Sequence, residues 1–199
     1  MQYRIPIEIE PPRRVFGLAT PRHMLQKLYW EIHSLERNIE SQVTETHSQL
    51  DAAYFAFNAA VTAWHLSDWV WESASVELKA EIANELKLKA STVDEFQRSL
   101  SQNYEAIENC RNIANGSKHK TDRGNQSFRV SLEWTYGSTF HGTTKIDAPI
   151  SYDLLVVNNG HQVRAVEMFN EVFRVWRCLL SEWGFVEPEL VTGDYKPLV

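Results

Sequence analysis

The sequence predicts a mainly α-helical fold, a bundle of five to six helices with a small antiparallel β-sheet inserted before the C-terminal helix. Two patterns support this prediction. Apolar residues recur every three or four positions over most of residues 20–115 and again over 164–183, which is typical of helices packed on a core. Between these regions, residues 127–163 alternate apolar and polar side chains and contain turn-forming sequences, which is typical of strands.

The length of 199 residues suits one domain. We expect an extended N-terminal arm over residues 1–19, in which isoleucines alternate with polar residues and proline before Pro11-Pro12. A single helical domain should follow over residues 20–184, with the β insertion at about 127–163. Residues 185–199 should form a C-terminal tail.

Two long helices are expected first. Thr20 is a suitable N-cap and Pro21 fits the first helical position, so one helix should start there. A single apolar stripe predicts that this helix continues to about Ser48. The next helix, over about 50–72, is apolar on nearly all sides, which indicates the central element of the bundle.

Three shorter helices are expected next. Residues 76–88 show an amphipathic pattern, and residues 91–95 resemble the cap of a helix that continues to about Leu100. A further helix is predicted over 103–115, where Gly116 is a suitable end or break.

The β insertion and the last helix complete the expected fold. Strand-like segments are predicted over 127–136, 145–151, 152–157 and 161–163. The last two should form a hairpin, because Asn159-Gly160 is a strong turn sequence. The final helix should cover 164–183 and end at Gly184.

Composition restricts the class of protein. The net charge of −6 argues against a broadly basic nucleic-acid-binding surface, although residues 111–129 are locally basic. Asp68 interrupts the longest apolar region, which favours a buried helix of a cytoplasmic protein over a membrane span. Cys110 and Cys178 have no CxxC partner, so we expect buried free thiols rather than a disulfide or a zinc site. Tryptophan-rich helices favour a thick core or a subunit interface.

The segment 110–120 is the best candidate site. On a continuous helix Arg111, Asn115 and His119 are four residues apart and share one face, and Asn112 aligns with His119. Arginine binds phosphate, and histidine transfers protons near neutral pH. These groups suit metal-free cleavage of RNA, with the ribose 2′-hydroxyl as nucleophile. Nearby basic side chains would add to phosphate binding, namely those of Lys118, Lys120 and Arg123.

A structural interpretation of the same segment is also open. Gly116 could end the helix and turn His119 away from the other residues. Basic residues at a helix C-terminus complement the helix dipole, and the locally basic stretch could be a solvated loop. Arg111 could then pair with an acid such as Glu105 or Glu108.

Arg111-Asn112 followed by His119, at the end of a late bundle helix, resembles the motif of the HEPN superfamily. The interval between Arg111 and His119 is one residue longer than that family's pattern, and a glycine intervenes. The resemblance covers roughly residues 20–120 and implies an all-α homodimer in which the motifs of two protomers form one site. It further implies a metal-independent endoribonuclease of a toxin or phage-defence system. In it Arg111 would bind phosphate, Asn112 would be its polar partner and His119 the acid–base group, with no cofactor.

A second polar pair, His65 and Asp68, lies on one face of the central helix. It is either a functional pair facing the Arg111 helix or a buried, hydrogen-bonded pair that fixes helix register. No complete metal-ligand pattern accompanies it. Two further functions stay open. One is a non-catalytic helical bundle that binds a protein partner. The other is a bundle that binds a small molecule or a metal beside His65 and Asp68.

Overall fold

The computed structural model describes residues 18–41, 46–116, 128–141 and 144–186. These residues form six α-helices and a three-stranded antiparallel sheet, which confirms the predicted mainly α fold with a sheet before the last helix. The elements, in chain order, are α1 (Pro21–Glu40), α2 (Thr46–Ser73), α3 (Val76–Glu85), α4 (Val93–Asn103), α5 (Glu105–Gly116), β1 (Phe128–His141), β2 (Thr144–Asn158), β3 (His161–Arg164) and α6 (Ala165–Glu182). The predicted arm over 1–19 and tail over 185–199 lie almost wholly outside the described residues.

Helix α1 is shorter than its apolar stripe predicts. Its start is as expected, since the Thr20 hydroxyl accepts a hydrogen bond from the His23 amide. The helix ends at Glu40, however, and α2 begins at Thr46, so the expectation of one helix to about Ser48 was wrong. Among the described residues the stripe is buried through Ile39. Helix α2 packs along α1, and this packing on a separate helix is something that periodicity alone does not predict.

Helix α2 is the central element, as predicted. It packs most extensively on α1 and α5 and also contacts α4, α6 and β2. Ala59, Ala60 and Ala63 are fully buried, and their small side chains permit close approach of the neighbouring helices. Its first half is not enclosed, because 49% of Leu50 and 61% of Tyr54 remain exposed. Within the described ranges, none of the helices is long and apolar enough to cross a membrane.

The sheet is a meander in which β2 pairs with both β1 and β3. The two segments expected at 145–151 and 152–157 form a single strand, β2. Its pairing with β1 shifts register between Thr135 and Tyr136, next to Pro149. A bulge there accommodates a proline, which cannot donate a ladder hydrogen bond. The hairpin prediction is confirmed, since Asn159 and Gly160 both have positive φ, of 50° and 83°.

Helix α6 closes the bundle with its predicted apolar stripe. Phe169, Trp176 and Leu180 are fully buried, and the Trp176 indole donates to the Ala63 carbonyl of α2 at 2.9 Å. Gly184 ends the helix with φ of 73°, as expected. Cys178 lies off this stripe and is exposed, so the expectation of a buried thiol holds only for Cys110.

Candidate functional site

Helix α5 carries the candidate site, and its start is determined by Tyr104. This residue has extended backbone angles between α4 and α5, and its carbonyl accepts hydrogen bonds from the Ile107 and Glu108 amides at 3.0 Å. The helix therefore begins at Glu105, two residues later than predicted. Its inner side packs chiefly against α2 through small and aliphatic residues, namely Ala106, Ile107, Cys110 and Ala114.

Cys110 is a core residue and not a nucleophile. Its thiol is fully buried, and burial raises its pKa well above the ordinary value for cysteine. The sulfur therefore stays protonated at neutral pH, and the protonated form is a poor nucleophile. The chemistry of this segment must come from the polar residues that follow.

Arg111 lies on the outer side of α5, beside α2. Its guanidinium carbon is 5.7 Å from the centroid of the Trp64 ring, and Trp64 itself is only 8% exposed. Such a contact contributes about 0.5–1 kcal/mol at an exposed site. Among the described residues Arg111 forms no ion pair, so the alternative of a pair with Glu105 or Glu108 is not observed.

The two asparagines of the site follow Arg111 on the same helix. Asn112 and Asn115 are both partly buried. The side-chain nitrogen of Asn112 is buried and makes no hydrogen bond to any part of the chain that the structure describes. A buried amide donor without an acceptor is unfavourable, which makes it a candidate for contact with a bound group.

The remaining predicted site residues lie beyond the end of α5 as described. Helix α5 is described as far as Gly116. His119, with the basic residues Lys118, Lys120 and Arg123, lies outside the described residues. The predicted shared face of Arg111, Asn115 and His119 therefore stays a prediction.

The His65–Asp68 pair is not a buried polar pair, because His65 is exposed. Asp68 instead accepts a hydrogen bond from the Gln97 side chain at 2.8 Å. The same Gln97 nitrogen lies 2.9 Å from the hydroxyl of buried Ser67. Asp68 thus joins α2 to α4.

Sequence analysis missed a polar contact on the buried face of α5. The Asn158 side-chain nitrogen donates to the Asn109 side-chain oxygen at 3.0 Å, and these residues are 4% and 2% exposed. They are separated by 49 positions in the chain. Asn158 has the sequence context of a turn residue, and Asn109 lies within an amphipathic helix, so neither residue signals the pair.

Asn109 also lines a polar cleft of about 320 Å³ between the start of α5, strand β3 and α6. The polar side chains around it are those of Asn103, Tyr104, Glu105, Asn109, His161, Glu167 and Glu171. A second cavity, of about 400 Å³, is lined mainly by apolar side chains of α2, β1 and β2, with Ile113 and Phe169. It therefore offers few groups for chemistry.

No group of three or more histidine, cysteine or acidic side chains within the described residues is arranged to hold a metal ion. The described part of the site thus offers a cation on an aromatic ring and a buried amide donor, groups that bind an anion.

Comparisons of the chain with protein-family models, curated proteins and solved structures found no match.

Proposed function

We propose that Arg111 and the residues that follow it in the chain bind the phosphate backbone of RNA and that the chain is a metal-independent endoribonuclease. The observation that carries this proposal is the state of Arg111, which is exposed, lies over Trp64 and forms no ion pair with a described carboxylate. Attraction to the ring uses none of the guanidinium hydrogen-bond donors. They remain available to bind a phosphate in bidentate fashion.

In the proposed reaction Arg111 binds the scissile phosphate and Asn112 is its polar partner. His119 removes the proton from the ribose 2′-hydroxyl, and the 2′-oxygen attacks phosphorus. The bond between phosphorus and the 5′-oxygen then breaks, and the 5′-oxygen receives a proton from the His119 of a second protomer. The products are a 2′,3′-cyclic phosphate and a 5′-hydroxyl, with no change in oxidation state.

The proposed enzyme is a cytoplasmic homodimer. The exposed apolar side chains of Leu50 and Tyr54 on α2 support a contact with a second copy. Asn115, Lys118, Lys120 and Arg123 would contact RNA on either side of the cleaved bond. An RNase of this kind would serve as the effector of a toxin or phage-defence system.

The test is cleavage of end-labelled single-stranded RNA by the purified chain in the presence of EDTA. We expect cleavage that leaves cyclic phosphate ends, and none where the nucleotide 5′ to the cut carries 2′-deoxyribose. Arg111→Ala and His119→Ala should each lower the rate by roughly 10²-fold or more. Induced expression of the parent chain should slow cell growth, and expression of either variant should not.

Arg98→Ala is the matched control, because Arg98 is also an exposed helical arginine but pairs with Glu95. It should cleave like the parent. If the parent chain does not cut RNA, or if both site variants cut at the parent rate, the proposal is wrong.

A non-catalytic protein-binding bundle is the second candidate function. Exposed large apolar side chains favour it, on α2 and also on β1 at Val130 and Tyr136. In that case the purified chain leaves RNA intact, and Tyr54→Glu abolishes binding of a protein partner while the fold is retained.

A further inference from the structure

The polar cleft beside Asn109 lies near the start of α5, on the face opposite Arg111, and the proposed function does not use it. Glu105 and Asn109 are four positions apart on α5, and Glu167 and Glu171 are four apart on α6. Residues at this spacing lie on one face of a helix, so each helix contributes one pair to the wall of the cleft. His161 of β3 lies at the remaining side.

Asn109 provides an unused hydrogen-bond donor in this cleft. Its side chain is 98% buried, yet it lines the cleft. Its oxygen accepts from Asn158, whereas its nitrogen makes no hydrogen bond within the described residues. Such a donor is satisfied when a ligand supplies an acceptor.

Glu105 provides the unused charge. Glu167 faces Arg164 at 3.7 Å, and Glu171 forms an ion pair with Arg174. Glu105 forms no ion pair with any described residue. The carboxylates of Glu182 and Glu85 add negative charge near Tyr104, whose pKa is raised first by burial and then by these two charges. The cleft therefore attracts a cation and repels phosphate.

We propose that this cleft binds an arginine residue of a polypeptide partner, with its guanidinium against Glu105 and its backbone carbonyl accepting from the Asn109 side-chain nitrogen. An arginine in a peptide carries both a planar cation and an adjacent carbonyl acceptor. A polyamine carries only donors at neutral pH, so it has no acceptor for the Asn109 side-chain nitrogen. The cleft volume of about 320 Å³ lies at the lower end of the range for ligand pockets.

The test is titration of the isotope-labelled intact chain, followed by NMR, with Nα-acetyl-arginine N-methylamide. We expect saturable shifts of the Asn109 side-chain amide and of the backbone amides of Glu105 and His161. The neutral citrulline analogue and spermidine should both bind more weakly. Glu105→Gln should weaken binding of the arginine probe roughly fivefold, the size expected for a partly exposed ion pair.

Glu108→Gln is the matched control, because Glu108 lies in the same first turn of α5 but does not line the cleft. It should bind the probe like the parent. Equal losses in the two variants, equal binding of the citrulline analogue or spermidine, or no saturable shift would each overturn the proposal. Glu105→Gln should leave RNA cleavage unchanged, so this proposal and the RNase proposal fail independently.

Discussion

Two faces of helix α5 present opposite chemistry and are stabilised by different contacts. On one face, toward the start of the helix, Asn109 is buried and bonded to Asn158, beside the carboxylate of Glu105. On the opposite face, Arg111 is exposed and lies on the ring of Trp64. The first surface is built by a buried tertiary hydrogen bond, and the second by a contact at the surface.

This difference indicates where changes should be costly. When one member of a buried amide pair is removed, the other is left without a hydrogen bond, which lowers stability. An exposed cation on an aromatic ring contributes little to stability. The acidic cleft should therefore depend on the integrity of the fold. Substitution at the Arg111 surface should cost function and little stability.

A substitution in the core beneath both the acidic cleft and the Arg111 surface should have the largest effect. Ile107 is fully buried on the inner side of α5. Ile107→Ala should lower the free energy of unfolding by about 2–5 kcal/mol, because it leaves a cavity in the core. Urea denaturation measures this loss. Val76→Ala, at an exposed position, should change stability by less than about 0.5 kcal/mol. A loss below about 1 kcal/mol for Ile107→Ala would mean that the acidic cleft and the Arg111 surface do not both depend on Ile107.

Removing the buried amide pair should affect the acidic cleft and not the Arg111 surface. Asn158→Ala leaves the Asn109 oxygen without its donor, and we expect a loss of about 1 kcal/mol. The loss should be near the lower limit for buried groups, since the Asn158 side-chain oxygen is already unpaired. Urea denaturation and titration with the arginine probe check both effects. Asn170→Ala, at an exposed asparagine, is the control. An increase in stability, with probe binding unchanged, would contradict the structural role of the pair.

Removing the surface cation should separate stability from function. Arg111→Ala should lower the free energy of unfolding by about 0.5–1 kcal/mol, the magnitude of one exposed contact with an aromatic ring. The effect on RNA cleavage should be far larger. Thermal denaturation alongside the cleavage assay measures both quantities. A stability loss comparable to that of Ile107→Ala would identify Arg111 as a structural residue.

The smallest effect is the pH dependence of stability that arises from Tyr104, beside the acidic cleft. Burial raises the pKa of Tyr104 in the folded state, so ionisation is more costly there than in the unfolded chain. This contribution to stability is fully present below the ordinary tyrosine pKa of about 10 and is lost as the pH rises above it. Tyr104→Phe should therefore lose less stability than the parent between about pH 9 and 11, measured by urea midpoints. Parallel curves for the two proteins would contradict this assignment.

Local patterns predicted most of the elements because they depend on neighbours in the chain. Thr20 and Pro21 start α1, Asn159-Gly160 forms the hairpin turn, and Gly184 ends α6, as their backbone preferences require. The length of α1 was not predicted in this way. Periodicity extended α1 towards Ser48, whereas the structure has separate helices α1 and α2 that pack on each other.

The same distinction between local patterns and long-range contacts applies to the functional residues. Arg111 was recognisable because arginine, amides and histidine concentrate in a short segment, and it forms no ion pair with the described part of the chain. His65 and Asp68 were predicted to be either a functional pair or a buried, hydrogen-bonded pair. Asp68 accepts a hydrogen bond from Gln97, on another helix and 29 positions away.

The sequence by itself determined the helical class of this protein, the position of its β insertion and the polar character of the end of α5, because helix periodicity, capping and turn preferences are local. Only the tertiary structure decided that Trp64 would support Arg111 and that Asn109 would meet Asn158. It also decided that glutamates of α5 and α6 would border one cleft. These contacts join residues far apart in the chain, and they exist because burial of the apolar faces of α2, α5 and α6 brings them together.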